Sequence, residues 1–297
     1  MQIQYVNRLT GQIEEEKVLG DALIRMAYSP SGMWWTDHVL SKRWVSQAAG
    51  WFQNRKWSAS KIPEFVRDYN IQMEEFEPGP FENFNAFFTR RFKPECRTFD
   101  ANEKVFCNFA ESRILLKENI SLRKVFKVKN AEIDLPTLCG GYSFAKNFDG
   151  GSLLIARLCP VDYHRFHFPC DGVITSFEVI HGNFHSVNPL AIESRPGLLM
   201  KNERQATLMS TAAFGMVGII EVGALCVGTI HQTHSTRGPA KKGTEKGYFL
   251  FGGSTVVVVT QKDAVKWDSD ILENSANNLE TWVPLGQRLG IAQRGQT

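Results

Sequence analysis

The chain has 297 residues, enough for one large domain or two modest ones, and its 43% hydrophobic and 22% charged content suits an ordinary globular core. A formal net charge of +3 is too mild to argue for nucleic acid as a partner, but it is compatible with an anionic membrane surface. No apolar run reaches the roughly 20 residues that span a bilayer, and Met1–Tyr5 lacks the charged-then-apolar layout of a signal peptide. The six cysteines (Cys96, Cys107, Cys139, Cys159, Cys170 and Cys226) show no Cys-x-x-Cys spacing, so buried thiols are expected rather than a disulfide frame or a zinc site.

Taken in order, residues 1–20 read as a strand or two and a turn around Tyr5-Val6 and Gly11-Gln12-Ile13. From Gly20 to Ile71 the texture is helical. Asp21–Tyr28 is one helix, stopped by Ser29-Pro30. Thr36 is placed to cap a second, running through Val39, Leu40, Trp44, Val45, Ala48, Ala49 and Phe52. A third starts at Pro63, a good first helical position, and runs to about Tyr69. Trp34, Trp35, Trp44, Trp51, Phe52 and Trp57 stand beside Lys42, Arg43, Arg55 and Lys56, which suits either a membrane interface or packing on the main domain. After the Pro78-Gly79-Pro80 turn, Asn83–Pro94 reads as a short phenylalanine-rich helix ended by proline.

Beyond Arg97 short strands alternate with turns: Val105–Cys107, Ile114–Leu116, Val125–Val128, Ser152–Leu158, Gly172–Ile174, Gly218–Val222 and Cys226–Ile230. Met200–Arg204 is a polar break between two of them. Strands at this spacing argue for a barrel or sandwich. The glycine-punctuated end, Trp282–Ala292, is like a lipoyl-type barrel sandwich by fold-level analogy. The expected fold class is therefore α+β: a largely helical amino-terminal part, 1–95, before a mostly-β, barrel-sandwich catalytic part, 96–297.

The chain's central stretch is Gly247-Tyr-Phe-Leu-Phe-Gly-Gly-Ser254-Thr-Val-Val-Val-Val259. Four valines predict a buried strand, and Gly252-Gly253 relaxes the backbone just before Ser254. On local pattern alone this is also a tight turn entering a strand. With Lys242–Gly247 ahead of it, the stretch resembles the self-cleavage segment of the phosphatidylserine decarboxylases, which are pyruvoyl-dependent enzymes. Further segments resemble the same family in the same order. Phe84, Asn85, Phe87, Phe88 and Arg90 match its Phe-Asn-x-Phe-Phe-x-Arg; Pro160–Pro169 matches its Pro-x-Asp-Tyr-His-Arg-x-His-x-Pro. Gly182–Asn188 matches Gly-x-x-x-Ser-Val-Asn; Lys201–Arg204 is similar to Arg-Asn-Glu-Arg; Val222–Ala224 matches Val-Gly-Ala. The likeness covers roughly residues 30–290. One departure concerns the family's Ala-Asp-Gly, which here reads Ala110-Glu111-Ser112, leaving an impaired or regulated zymogen as an alternative.

His164 and His167 lie three apart, which on a regular strand would face them to opposite sides, so a bend or a bulge is needed if both serve one site. Zinc is the usual alternative for a histidine pair, but no third ligand has suitable spacing, and no metal is expected. The resemblance implies that His167, oriented by Glu111, acts as base while Ser254 attacks the Gly253 carbonyl. An N-to-O acyl shift and β-elimination would cut the Gly253–Ser254 bond, giving chains 1–253 and 254–297 and a covalent pyruvoyl group derived from Ser254. That group would form a Schiff base with phosphatidylserine and release carbon dioxide, with His164 protonating the carbanion, to give phosphatidylethanolamine. The implied partners are the lipid, a membrane surface touched from the cytoplasmic face, and the two cleavage chains as a heterodimer, with a homodimer of heterodimers as a further option. The alternatives are a Ser-His-carboxylate hydrolase that never cuts itself, against which stands the lack of a Gly-x-Ser-x-Gly elbow, and a non-catalytic membrane-binding barrel.

Overall fold

The computed structural model describes residues 3–17, 21–225, 230–252 and 254–293. In chain order the strands are β1 (Gln4–Asn7), β2 (Ile13–Glu15), β3 (Val105–Cys107), β4 (Ser112–Glu118), β5 (Phe126–Val128), β6 (Ala131–Ile133), β7 (Ser152–Leu158), β8 (Arg165–His167) and β9 (Gly172–Ile180). They continue as β10 (Arg204–Thr211), β11 (Gly215–Val222), β12 (Ile230–Gln232), β13 (Gly238–Ala240), β14 (Glu245–Phe249), β15 (Ser254–Thr260), β16 (Val265–Trp267), β17 (Glu280–Val283) and β18 (Arg288–Ala292). The first helices are α1 (Asp21–Ala27), α2 (Met33–Trp35), α3 (Arg43–Gln53), α4 (Ile62–Asp68) and α5 (Phe84–Phe88).

The fold is mixed α+β and mostly sheet. A ten-stranded sheet runs β13-β9-β10-β11-β15-β7-β4-β17-β1-β2. Its described strands form an open sheet, not the closed barrel that short alternating strands suggest. Strand spacing fixes element length, but closure depends on the two edges meeting, and here β13 and β2 stand at opposite ends. Nearly every pairing is antiparallel; β1 lies parallel to β17 and carries the amino-terminal residues onto the large sheet. A second sheet, β12-β14-β8, carries the histidine block.

β15 sits between β11 and β7. Val256 through Val259 are fully buried, because both faces of the sheet are covered here, and a continuous apolar run is what such a strand requires. Gly218 faces Val259 and Phe144 so closely that an added Cβ would lie 2.6 Å from Val259 Cγ2 and 2.8 Å from the Phe144 ring. A glycine is thus needed for the helix at Tyr142–Ala145 to lie flat on the sheet.

The helical region departs from the sequence reading around Thr36 and again after Phe88. Thr36 does not cap a long helix: its hydroxyl donates to the Ala27 carbonyl at 2.6 Å, and Thr36–Leu40 is a π-turn separate from α3. The break falls at Ser41–Lys42, where the Ser41 carbonyl accepts from Phe184 N at 2.8 Å, a tie to the main body that a continuous helix could not make. Asn83 caps α5 by accepting from Ala86 N, and the helix ends at Phe88, six residues short of Pro94, the proline expected to stop it. Of the predicted strand Cys226–Ile230, residues 226–229 lie outside the described residues.

Buried charges join the amino terminus to the sheet. Arg113 on β4 and Arg157 on β7 stand in register, and each takes a carboxylate oxygen of Glu16, at 3.1 and 2.7 Å. Glu280 takes Arg157 at 2.7 Å, and Asp162 takes Arg113 at 2.6 Å. Burial alone would push the Glu16 carboxyl up, but Arg157 and Arg113 outweigh it and hold it at about 2. The stability this gives is present above the ordinary carboxylate range and is lost as pH falls towards 2. Arg157→Ala, which leaves Glu16 with Arg113 alone and Glu280 with Lys129 at 3.9 Å, is expected to cost roughly 3–5 kcal/mol in urea unfolding. Truncating the exposed Lys127–Glu132 pair, 3.4 Å apart, is expected to cost under about 1 kcal/mol.

Candidate active site

Ser254 is the first residue of β15, fully buried and in register with Leu158. Its hydroxyl has no hydrogen-bond partner among the described residues. The turn before it is held from outside. Gly252 has φ +141°, a backbone conformation that favours glycine. Phe251 packs edge-on against Phe84 and Phe88, with ring centroids 5.1 and 5.2 Å away, and its N–H donates to Asn85 Oδ1 at 3.0 Å. Asn85 in turn donates to Asn54 Oδ1 at 2.9 Å. The Phe84–Phe88 segment, read from the sequence as a short helix, also grips the turn. Gly253 lies outside the described residues.

His164 is also fully buried, in the loop before β8. Its carbonyl accepts from Phe249 N at 2.9 Å, which fixes it beside the end of β14. Nδ1 lies 2.9 Å from the Asp162 carbonyl, the ring packs 3.9 Å from Phe88, and Nε2 has no partner among the described residues. Burial drives its pKa down to about 3; the Asp162 and Gly252 carbonyls resist that fall. Asp162 organises the loop. Its Oδ2 accepts from Cys159 N and from Arg113 Nη1, both at 2.6 Å. Burial raises the Asp162 carboxyl to about 6, with Arg113 pulling the other way.

His167 ends β8. Its Nδ1 lies 2.9 Å from the Gly243 carbonyl and its Nε2 3.3 Å from the Tyr163 hydroxyl. Opposite it the register slips by one residue between Glu245 and Gly247, on β14, while His164 lies in the loop before β8. Glu111 does not touch His167. Both of its oxygens accept from Arg97, at 3.0 and 2.8 Å, and Oε2 also accepts from Leu285 N at 2.9 Å. A guanidinium fork satisfies a carboxylate from two sides and leaves little for an imidazole. Tyr163, whose hydroxyl meets His167 Nε2, lines the same cleft as Glu111. Arg97 is the residue that the sequence reading missed, and nothing in its local pattern marks it.

A cavity of 230 Å³ abuts the turn, lined in part by Ile24, Cys159, Ser186, Asn188, Phe251 and Gly252. Ser186 and Asn188 come from the Gly182–Asn188 loop, which Asn202 staples: its amide donates to the His185 and Gly223 carbonyls, each at 2.8 Å. A larger cleft of 590 Å³ contains Arg97, Glu111 and Tyr163 and lies on the His167 side; neither Ser254 nor His164 lines it. The smaller cavity does not include Ser254, His164 or His167 either, but it reaches Gly252 and Leu158, the residue paired with Ser254. Among the described residues no group of three or more His, Cys, Asp or Glu could hold a metal ion.

A family model described as phosphatidylserine decarboxylase matches residues 84–290. A phosphatidylserine decarboxylase proenzyme of Clostridium tetani is 39% identical over 290 residues, 97% of this chain and 98% of that protein. One of Clostridium perfringens is 40% identical over 291 residues, covering 97% and 99%. Another, of Clostridium botulinum strain Kyoto, is 38% identical over 291 residues, with the same coverage.

The buried site has a titration signature. His164 is expected to stay neutral well below its ordinary value of 6.5, down to about pH 3, as read from imidazole nitrogen shifts. The unfolded chain takes up that proton and the folded one does not, so His164 contributes a loss of stability as pH falls from 6.5 towards 3. A His164 shift change centred near pH 6.5 would contradict this environment.

Proposed function

The chain belongs to the phosphatidylserine decarboxylase family, and on that premise we propose that it is a proenzyme that cuts itself between Gly253 and Ser254 and then converts phosphatidylserine to phosphatidylethanolamine. The observation that carries this reading is the buried, unpartnered Ser254 hydroxyl at the mouth of a core strand, just past the Gly252 turn, with the His164 imidazole beside that turn.

In the cleavage we propose, Ser254 Oγ gives its proton to a base and attacks the Gly253 carbonyl. The Gly253–Ser254 C–N bond breaks, leaving an ester and a free amine. Loss of the Ser254 Cα proton then expels the Gly253 carboxylate from Cβ. Water replaces the resulting enamine nitrogen, which leaves as ammonia, and a pyruvoyl group remains at position 254. The residues present fit that group: the change removes a buried hydroxyl donor that has no acceptor and leaves a carbonyl acceptor in a dry site. Attached there, it would supply an electron sink for loss of carbon dioxide. The chain's own residues exclude water, hold the reacting headgroup in the 230 Å³ cavity, and move protons at the imidazoles.

We assign His167 as base of self-cleavage and His164 as proton donor in decarboxylation, with Glu111 supporting His167 through Tyr163. One observation favours the exchanged assignment. His164 is the imidazole beside Gly252, whereas both His167 nitrogens are engaged. Within this proposal, 96–297 is the catalytic part with a lipoyl-like barrel-sandwich arrangement and 1–95 is the membrane-contacting part. The products would stay together as a heterodimer, because β15 pairs on both sides with strands of residues 1–253.

Trp34, Trp35, Trp44, Trp51, Phe52 and Trp57 are each at least 50% exposed, which supports contact with a bilayer over packing on the main domain. Arg55 lies over the Trp51 ring at 3.7 Å. No described helix is long and apolar enough to cross a membrane, and the contact proposed is peripheral, on the cytoplasmic face.

Intact mass tests the processing. The parent should give chains 1–253 and 254–297 with a blocked amino terminus on the second, and Ser254→Ala should stay whole. A Ser254→Ala chain that still splits at this bond would end the reading. On the assignment above, His167→Ala stays whole, whereas His164→Ala is cut but loses turnover by roughly 10²–10⁴-fold; the reverse pattern establishes the exchanged roles. For the membrane contact, reversing the charges of Lys42, Arg43, Arg55 and Lys56 should weaken sedimentation with anionic vesicles, by at most about 1 kcal/mol per charge. Unchanged sedimentation would return these helices to a structural role.

A further inference from the structure

One fully buried ion pair has no part in the chemistry above. Lys246 Nζ lies 2.8 Å from Glu221 Oε1, with side chains 2% and 0% exposed. Gln232 completes it: its Oε1 accepts from Lys246 Nζ at 2.9 Å, and its Nε2 donates to Glu221 Oε2 at 3.1 Å and to Gln205 Oε1 at 2.8 Å. The ammonium also lies 5.7 Å from the Phe166 ring. Neither Lys246 nor Glu221 lines the 230 Å³ cavity or the 590 Å³ cleft, so neither is placed to meet a substrate.

Their positions in the fold are informative. Lys246 is on β14, the strand that leads into the Phe251–Gly252 turn. Glu221 is on β11, directly opposite Val256 of β15, the strand that leaves the turn. β14 and β15 belong to different sheets and share no ladder. The link from β14 to β15 is therefore tied at its base by side chains, this ion pair and its amide among them. Apolar contacts between two sheets fix a separation but slide easily. A desolvated ion pair with a third partner fixes direction as well.

We propose that Lys246 and Glu221, aligned by Gln232, are positioning residues for self-cleavage. They hold the strand entering the scissile turn at a set place relative to the strand leaving it, so that the Ser254 hydroxyl meets the bond before it. The proposal rests on the reading that the Gly253–Ser254 bond is cut. A small displacement of a reacting group is enough to slow such a step severely.

The test is the first-order rate at which freshly made full-length chain splits, followed by intact mass, in the parent and in Lys246→Met/Glu221→Leu. Stability is read separately, as Tm, with Ser254→Ala added so that every chain is uncut. Apolar replacement of a whole buried pair is commonly neutral or stabilising, so the double variant should melt within about 5 °C of its control, the shift of a small stability change. Its splitting should slow at least about tenfold, equal to about 1.4 kcal/mol of barrier. Gln232→Met leaves the pair and removes its alignment; splitting should slow roughly threefold or more, with Tm again near the control. A parental rate in either folded variant overturns the proposal. So does slowing that comes with a Tm loss beyond about 5 °C in both variants, because the pair would then be a stability element alone. If the parent itself stays whole, the cleavage reading falls and the clamp with it; a parent that splits beside unaffected variants overturns the clamp only.

Discussion

The pairing of β15 with β7 on one side and β11 on the other is the constraint on which the rest depends. It places a serine at the first position of a strand whose next five residues are also closed to solvent. A buried hydroxyl without an acceptor costs of order 1–3 kcal/mol. The fold tolerates that cost at the position where a reaction would consume the hydroxyl. An unsatisfied group in a core is otherwise selected against, and here it coincides with a glycine at φ +141° two residues earlier.

The charges around the site form a single structure. Arg113 and Arg157 face each other across β4 and β7, an arrangement that repels unless carboxylates come between. Glu16, Glu280 and Asp162 do so. Asp162 belongs to this cluster through its side chain and to His164 through its carbonyl. The amino-terminal residue Glu16 therefore bears on the histidine although no backbone pairing joins them. Removing one member leaves the others buried and unpaired, so the cluster acts as a unit.

The strands that the sequence made legible were those buried on both faces. Ser152–Leu158 and Val105–Cys107 have the bounds their apolar runs predict, because such runs are dictated locally. The histidine block and Ser254 stood out through their resemblance to the family's motifs, and both His164 and Ser254 are fully buried. What stayed hidden depends on partners distant in the chain. Ser41 ends a helix because Phe184 needs its carbonyl. Glu111 faces Arg97, fourteen residues earlier, and not the histidine. The open sheet was not legible because curvature is set by register and edges, which short strands do not encode one at a time.

The grip on the turn has a consequence for a chain that is cut there. A cut before Ser254 leaves a carboxyl-terminal tail that no longer has a covalent reason to stay. Its last described residues are nevertheless fixed from the helical side: Phe251 lies between Phe84 and Phe88, and its N–H meets Asn85. Asn85 also donates to the Gly50 carbonyl, at 3.3 Å, near the end of α3, whose Trp44 and Trp51 point outward. The helix proposed to touch the bilayer is thus one side chain away from the tail beside the serine. On the proposed membrane contact, a substrate carried in a bilayer would have to reach a serine buried in a sheet, and a helical region that also holds the turn would make those two demands compatible. This accounts for α5 standing between the helices and the sheet, with four of its five residues buried against either side.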